Sequence, residues 1–296
     1  MSARAFCPLC SYGKAKSAFP YETIWAEKKY AYKKCSSCGT TYISPLPSGE
    51  ELEKIYSFES YHNVFYHEPA AEKYKKSVKT LMQYAGERKT LLDFGCGAGF
   101  FLDEAQKSGF ICSGTELDHE TREKARALCK ADIFSFEEMQ GTSRKFDIIH
   151  MGDVLEHLGD PHKAVEGLKA LLEPGGIFFF EGPLQNNLSV VYYFALILKN
   201  VKRFFKIDKP AKIPPTHLIL TNKNAMIDFF SKRLGLKMKY FRIYETGWPY
   251  LSKKPEKATP EWYLKAVVGW AAIFLSLLEP GNNKKLGNRF MAICAE

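Results

Sequence analysis

The stretch Thr90-Leu-Leu-Asp-Phe-Gly-Cys-Gly-Ala-Gly99 constrains this chain more than any other. An apolar run ends at Asp93, glycines follow at 95, 97 and 99, and Phe100, Phe101, Leu102 and Ala105 begin a helical pattern at once. A buried strand must therefore turn sharply into the start of a helix. Glycine keeps side chains out of such a turn, so a ligand can approach the backbone. The helix end adds N–H groups without intrahelical partners, which suit a carboxylate or phosphate. A P-loop needs Gly-Lys-Ser/Thr where this chain has Gly99-Phe100-Phe101, which argues against a nucleoside triphosphate. A dinucleotide fold prefers G-x-G-x-x-G, and the spacing here is G-x-G-x-G.

The segment Phe110–Glu116 reads as a second strand ending in an acid about twenty residues beyond the glycines, where a Rossmann-like half delivers a carboxylate to ribose hydroxyls. Helices are expected over 70–85, over 119–130 with Asp118 as cap, after Asp160-Pro161, and from a Thr221 cap through Leu234. Strands are expected at 90–94, 133–136, 146–151, 177–180, 236–244 and 288–295. Gly175-Gly176 is expected to close the helix before Ile177. Alternating β and α units imply an α/β fold with a parallel sheet covered on both faces.

The glycine stretch resembles motif I of class I S-adenosylmethionine (SAM)-dependent methyltransferases, in which an acid precedes G-x-G-x-G. Lys145–Pro161 looks like the fourth strand and following loop of that family, and Leu171–Phe180 like its helix end, Pro-Gly-Gly turn and fifth strand. The likeness is close over residues 75–182 and looser over 215–296. It implies a Rossmann-like, seven-stranded, mostly parallel sheet, SAM as the cofactor, and methyl transfer to a small-molecule acceptor, at oxygen by preference, with a sugar-nucleotide, a saccharide precursor or a lipid-like molecule as the acceptors that the basic, aromatic insertions fit. It also implies a SAM site at Asp93, Gly95, Cys96, Gly97, Glu116, Leu117, Ile133, Phe134, Met151 and Gly152, with Cys96 as a packing residue. Residues 57–68, with Tyr61, His62, Phe65, Tyr66 and His67, correspond to a pre-core segment that folds over the site in similar enzymes; a surface loop is the plainer reading.

Asp153-Val-Leu-Glu156-His157 looks like the E-x-x-E-H segment of ubiquinone-pathway O-methyltransferases, in which acids and His can hold a divalent metal. Three roles stand open: a catalytic metal site, a direct base at His157, or a structural turn. His217, in Pro214-Pro-Thr-His-Leu218, is the second candidate base, against an ordinary loop histidine.

Cys7-x2-Cys10 and Cys35-x2-Cys38, separated by about 24 residues, match the two-pair spacing of a four-thiolate zinc site. The intervening Tyr30 and Tyr32 suggest a short β-ribbon, too small to hold together by apolar burial, so structural zinc would supply its folding free energy. The expected organisation is a zinc-ribbon-like module at 1–45, a linker and pre-core helices at 46–89, and a methyltransferase domain at 90–296 with insertions near 184–216 and 249–286.

The first insertion runs from apolar Val190–Phe194 into Lys199, Lys202, Arg203, Lys206, Lys209 and Lys212. It suits a lid or an interfacial helix on anionic lipid. The second, with Trp262, Trp270 and Phe274, is expected to be a core helix packed on the sheet. Val190–Leu198 and Ala266–Leu278 are each shorter than the roughly 18–20 residues that span a bilayer, so no transmembrane segment is expected. The start of the chain shows no signal-peptide pattern, and eight cysteines read as thiols and metal ligands. The expected location is cytoplasmic, with peripheral membrane contact open. A formal charge of +9 points to an anionic partner. The alternatives are an RNA methyltransferase gripping RNA with the zinc module, and a binding protein that holds SAM without turnover. Against RNA, the chain lacks the Asn/Asp-Pro-Pro-Tyr/Phe and Pro-Cys motifs of many RNA-modifying enzymes.

Overall fold

A computed structural model describes residues 6–57, 71–141, 143–251, 259–279 and 284–296. The segment at 57–68 singled out above lies, Ser57 apart, outside the described residues. In chain order the elements are β1 (Ala15–Trp25), β2 (Lys28–Cys35), β3 (Thr41–Ser44), α1 (Gly49–Tyr56), α2 (Ala71–Ala85), β4 (Thr90–Phe94), α3 (Phe100–Lys107), β5 (Ile111–Thr115), α4 (His119–Leu128) and β6 (Asp132–Phe134). Then come α5 (Phe136–Gln140), β7 (Phe146–Gly152), α6 (Pro161–Lys169), β8 (Leu172–Pro183), α7 (Val190–Phe204), β9 (Ile219–Leu220), α8 (Lys223–Asp228), β10 (Lys237–Tyr244), α9 (Pro260–Leu278) and β11 (Arg289–Ala295).

A seven-stranded, mostly parallel sheet has the order β10-β11-β8-β7-β4-β5-β6. β4 pairs in parallel with β5 on one side and β7 on the other. The strand order therefore reverses at β4, and the carboxyl ends of β4 and β7 flank the crevice where open α/β sheets bind ligands. The sheet core is apolar on both faces: Leu91, Leu92, Ile148, Ile149, Phe178, Phe179 and Phe180 are fully buried.

The chain divides into two compact units. One comprises 47–181, 234–240 and 292–296; the other comprises 1–46, 182–233 and 241–291. In the second unit β1, β2 and β3 form an antiparallel meander, wider than the expected ribbon, and β3 pairs antiparallel with β9 to complete a four-stranded sheet. Alternation in Lys-Lys-Tyr-Ala-Tyr-Lys-Lys-Cys puts Tyr30 and Tyr32 on the buried face of β2.

Several local expectations need correction. The Pro-Gly-Gly stretch lies within β8 instead of before a strand. Phe146 pairs with Leu172 and Ile148 with Ile177, so the extra residues around Gly175, at φ +78°, form a bulge. The helix expected from Thr221 is capped by Asn222, whose side chain accepts from Ala225 N. It widens into a π turn over Phe229–Arg233, and both Phe229 and Phe230 are buried there. Helix α9 begins six residues before the apolar run, at Pro260, with Thr259 as its cap. Among the described residues it is long and apolar enough, by length and composition alone, to cross a membrane. It is not a core helix: Trp270 and Phe274 are exposed, because its packed side carries the small residues Ala266, Gly269, Ala272 and Ser276.

Candidate active site

In the first unit, the turn after β4 takes the shape its glycines allow. Gly95, Gly97 and Gly99 sit at φ +77°, +54° and +82°, in the left-handed region. A methyl at Gly95 would come within 2.7 Å of Val154 Cγ2. The turn is closed by its own hydrogen bonds. Gly95 N and Cys96 N donate to Thr115 O, Gly99 N donates to Cys96 O, and Gly97 N donates to Glu116 Oε2 at 3.0 Å. The N–H groups of Gly95, Cys96, Gly97 and Gly99 are thus occupied within the turn, and the first N–H groups of α3 are those the sequence reading assigns to an anion.

Glu116 directly follows β5, its carboxylate held at both oxygens, since Asp118 N donates to Oε1 at 3.0 Å. Burial raises its pKa, against the backbone N–H groups that favour the charged form. Leu117 beside it is exposed. Ile133 is buried on β6, and the half-buried Phe134 ring lies under the Arg144 guanidinium, 5.3 Å from the ring centre. Cys96 is buried against Gly114, and burial pushes its thiol well above the ordinary value, which fits packing and not nucleophilic chemistry.

A cavity of about 30 Å³ opens beside the turn, lined by Asp93, Gly95, Phe101, His150, Gly152 and Glu181, among others. Met151 is fully buried and is not among its lining residues. The cavity contains a buried polar chain that sequence reading missed. His150 Nδ1 lies 2.7 Å from Asp93 Oδ1 and its Nε2 3.2 Å from Glu181 Oε2. Ser77 Oγ, on α2, donates to Glu181 Oε1 at 2.8 Å. The imidazole stacks on Phe101 with ring centres 3.7 Å apart. Burial alone would disfavour the charged ring, but the two carboxylates outweigh it and raise its pKa to about 9. Two carboxylates around one imidazolium leave the cavity wall with net negative charge, which suits a cationic group. The signal in the sequence was a single His inside Phe-Asp-Ile-Ile-His-Met, a polar residue within an apolar strand.

Asp153 follows β7 at φ +56°, an uncommon conformation for a non-glycine residue. Its N–H donates to Glu181 O, and its carboxylate pairs with Lys73 Nζ at 2.9 Å. Glu156 is buried and His157 half-buried in a 3-10 turn, Leu155–His157. The His157 ring meets Tyr56 edge-on at 5.2 Å, and its Nε2 is 3.9 Å from Glu156 Oε1.

In the second unit, His217 Nδ1 lies 2.7 Å from Gln185 Oε1, and its ring stacks on Trp248. Cys7, Cys10, Cys35 and Cys38 bring their sulfurs within 4.8 Å of one another. The Cys7–Cys38 and Cys10–Cys35 sulfur separations are 3.7 and 3.5 Å. Four thiolates around one ion at about 2.3 Å lie about 3.8 Å apart, whereas a disulfide needs about 2.05 Å, so the donor set fits a tetrahedral metal shell. Hydrogen bonds brace the cluster: Asn222 Nδ2 donates to Cys38 O, Asn186 Nδ2 to Gly39 O, and the Arg233 guanidinium to Cys10 O.

Comparison with known proteins places the stretch from residue 66 to residue 254, which carries the glycine turn but not the four cysteines, in a family. A ubiquinone biosynthesis O-methyltransferase from Actinobacillus pleuropneumoniae is 29% identical over 144 residues, covering 42% of this chain and 62% of the relative. One from Coxiella burnetii is 25% identical over 139 residues, covering 42% and 59%. The chain thus spans about six tenths of the length of the curated relatives it matches. Among solved structures, a SAM-dependent methyltransferase from Archaeoglobus fulgidus aligns with 77% of this chain and 95% of its own, at 18% identity and a TM-score of 0.48. A family model described as a methyltransferase domain matches residues 66–254. With that match covering more than half of its length, the chain belongs to the methyltransferase-domain family.

Proposed function

We propose that the chain transfers a methyl group from SAM to a small-molecule acceptor, at oxygen by preference. One observation carries the reading. The left-handed glycine turn after β4 is locked onto a buried carboxylate at the end of β5, beside a cavity of net negative charge. Glu116 would hold the ribose diol, since each of its oxygens accepts one backbone N–H and keeps a further lone pair. Gly95 and Gly152 would give the methionine part room against the backbone, and the Asp93–His150–Glu181 wall would receive its cationic end. SAM supplies an activated methyl on a sulfonium that leaves readily. The protein has to align the acceptor, exclude water and remove the acceptor proton. His157 and His217 are the candidate proton acceptors. The four cysteines would hold structural zinc, with no open coordination position for catalysis.

Calorimetry with S-adenosylhomocysteine tests the reading. The wild type is expected to bind it, and Glu116→Gln to bind at least about tenfold more weakly, the loss of roughly one charge-assisted hydrogen bond. No uptake by folded wild type, or equal uptake by Glu116→Gln, refutes the site. Oxygen as the acceptor atom is supported by the relatives' names, and transfer of label from SAM into extract metabolites would identify it.

A further inference from the structure

Helix α9 is built inside out for a soluble protein. Its buried side is Ala266, Gly269, Ala272 and Ser276. Its large apolar residues recur every three or four positions on the other side: Tyr263, Val267, Trp270, Phe274, Leu277 and Leu278 are 58–69% exposed. Close packing fixes this orientation, since a methyl at Gly269 would come within 2.7 Å of Leu251 Cγ. Rolling the helix to bury Trp270 would replace Gly269 with a side chain that has no room there.

Helix α7 packs beside α9 in the same unit and adds a second apolar stripe. Tyr193, Ile197, Val201 and Phe204 follow at helical spacing, then Phe205 and Ile207, with Phe204 82% exposed. An apolar groove of about 340 Å³ opens along this helix between Tyr193, Phe194, Ile197 and Leu286. Isolated exposed apolar residues are ordinary on a protein surface, but two adjoining stripes of this size are not.

The charge around the α7 stripe is almost all of one sign, and on α9 the exposed Glu261 is paired with Lys265 at 2.6 Å. From residue 184 to 220 the sequence holds six Lys or Arg and a single acid, Asp208. That acid is already paired with Lys199 at 2.7 Å. Lys202, Lys206, Lys209 and Lys212 are exposed among the exposed aromatic and aliphatic residues. Lys202 also sits near enough to α9 to help Lys265 hold the Glu261 carboxyl below its usual range. Bulky apolar side chains beside flexible cations are what the boundary between acyl chains and anionic headgroups accommodates.

We propose that the α7–α9 face docks the protein in the plane of an anionic lipid bilayer, with Trp270, Phe274 and Phe204 in the acyl boundary and Lys202, Lys206, Lys209 and Lys212 on the headgroups. In-plane docking keeps α9 packed through Gly269 against Leu251, which a spanning helix would have to abandon. This inference is independent of the methyl-transfer reading.

The test uses the full chain with phosphatidylcholine–phosphatidylglycerol vesicles, against phosphatidylcholine alone. Co-sedimentation is expected with the mixed vesicles, weakening at high salt. A single lysine near such a surface is worth roughly fivefold in partitioning. Lys202→Gln with Lys206→Gln, Lys209→Gln and Lys212→Gln should therefore weaken binding by at least about tenfold. Trp270→Ser with Phe274→Ser should do the same while leaving S-adenosylhomocysteine binding unchanged, which separates this result from failure of the cofactor reading. Lipids brominated in the acyl chains should quench tryptophan emission in wild type and much less in Trp270→Phe. Four outcomes overturn the proposal: no co-sedimentation, binding indifferent to both sets of substitutions, retention through alkaline carbonate extraction, or a self-association that Trp270→Ser with Phe274→Ser abolishes while vesicles go unbound.

Discussion

Replacing His150 with Gln probes the buried polar chain beneath the glycine turn. Gln nearly preserves the volume and can hydrogen-bond, but it cannot carry charge. In the wild type the ring's pKa is raised from 6.5 to about 9 by Asp93 and Glu181, against the opposing effect of burial. That rise is worth on the order of 3 kcal/mol to the folded state. The contribution is fully present below pH 6.5, where the unfolded chain is protonated too. It declines as the pH rises and is gone above about 9, once the folded ring has lost its proton. The variant leaves two buried carboxylates facing each other without a cation, a defect of roughly 3–5 kcal/mol near neutrality. Urea unfolding of both proteins between pH 6 and 10 supplies the comparison. The wild-type advantage should be largest at the acid end and shrink by on the order of 3 kcal/mol toward the alkaline end. An advantage that stays flat across the range would mean that the folded protein holds His150 neutral, and the charge assigned to the cavity wall would be wrong.

Gly95→Ala should lower stability by about 1–2 kcal/mol for the left-handed backbone, with a further loss from the 2.7 Å approach to Val154 Cγ2. Adding Val154→Ala should recover the steric part alone, as read by thermal unfolding and S-adenosylhomocysteine affinity. Cys7→Ser with Cys10→Ser, or prolonged chelation, should release one equivalent of zinc by elemental analysis and lower the melting temperature of the unit carrying β1–β3. A metal-free wild type of unchanged stability would refute the zinc assignment.

How much the sequence disclosed depended on whether the governing contact was local. The strand–turn–helix at 90–105 and the paired cysteines were legible because backbone sterics and ligand spacing operate over a few residues. His150 was not, because its partners come from β4 and β8 and only sheet pairing brings them together. Helical periodicity announced α9 but not its orientation. Hydrophobic pattern reading assumes that the larger side chains go inward, and here a glycine-lined contact reverses that assumption. The bracing of the cysteine cluster by Asn186, Asn222 and Arg233 was equally invisible, since each is an ordinary polar residue until the chain returns to the cluster.

The pairing of β3 with β9 has a consequence for biosynthesis. About 175 residues separate Ser44 from Ile219. At roughly 5–20 residues per second, the ribosome needs on the order of ten seconds or more to deliver the partner strand. Throughout that interval the nascent meander displays a raw β margin, a template for unwanted strand addition. Whatever guards it meanwhile, early metal capture or a chaperone, must act throughout the synthesis of residues 45–218, the stretch that carries the glycine turn and its cavity.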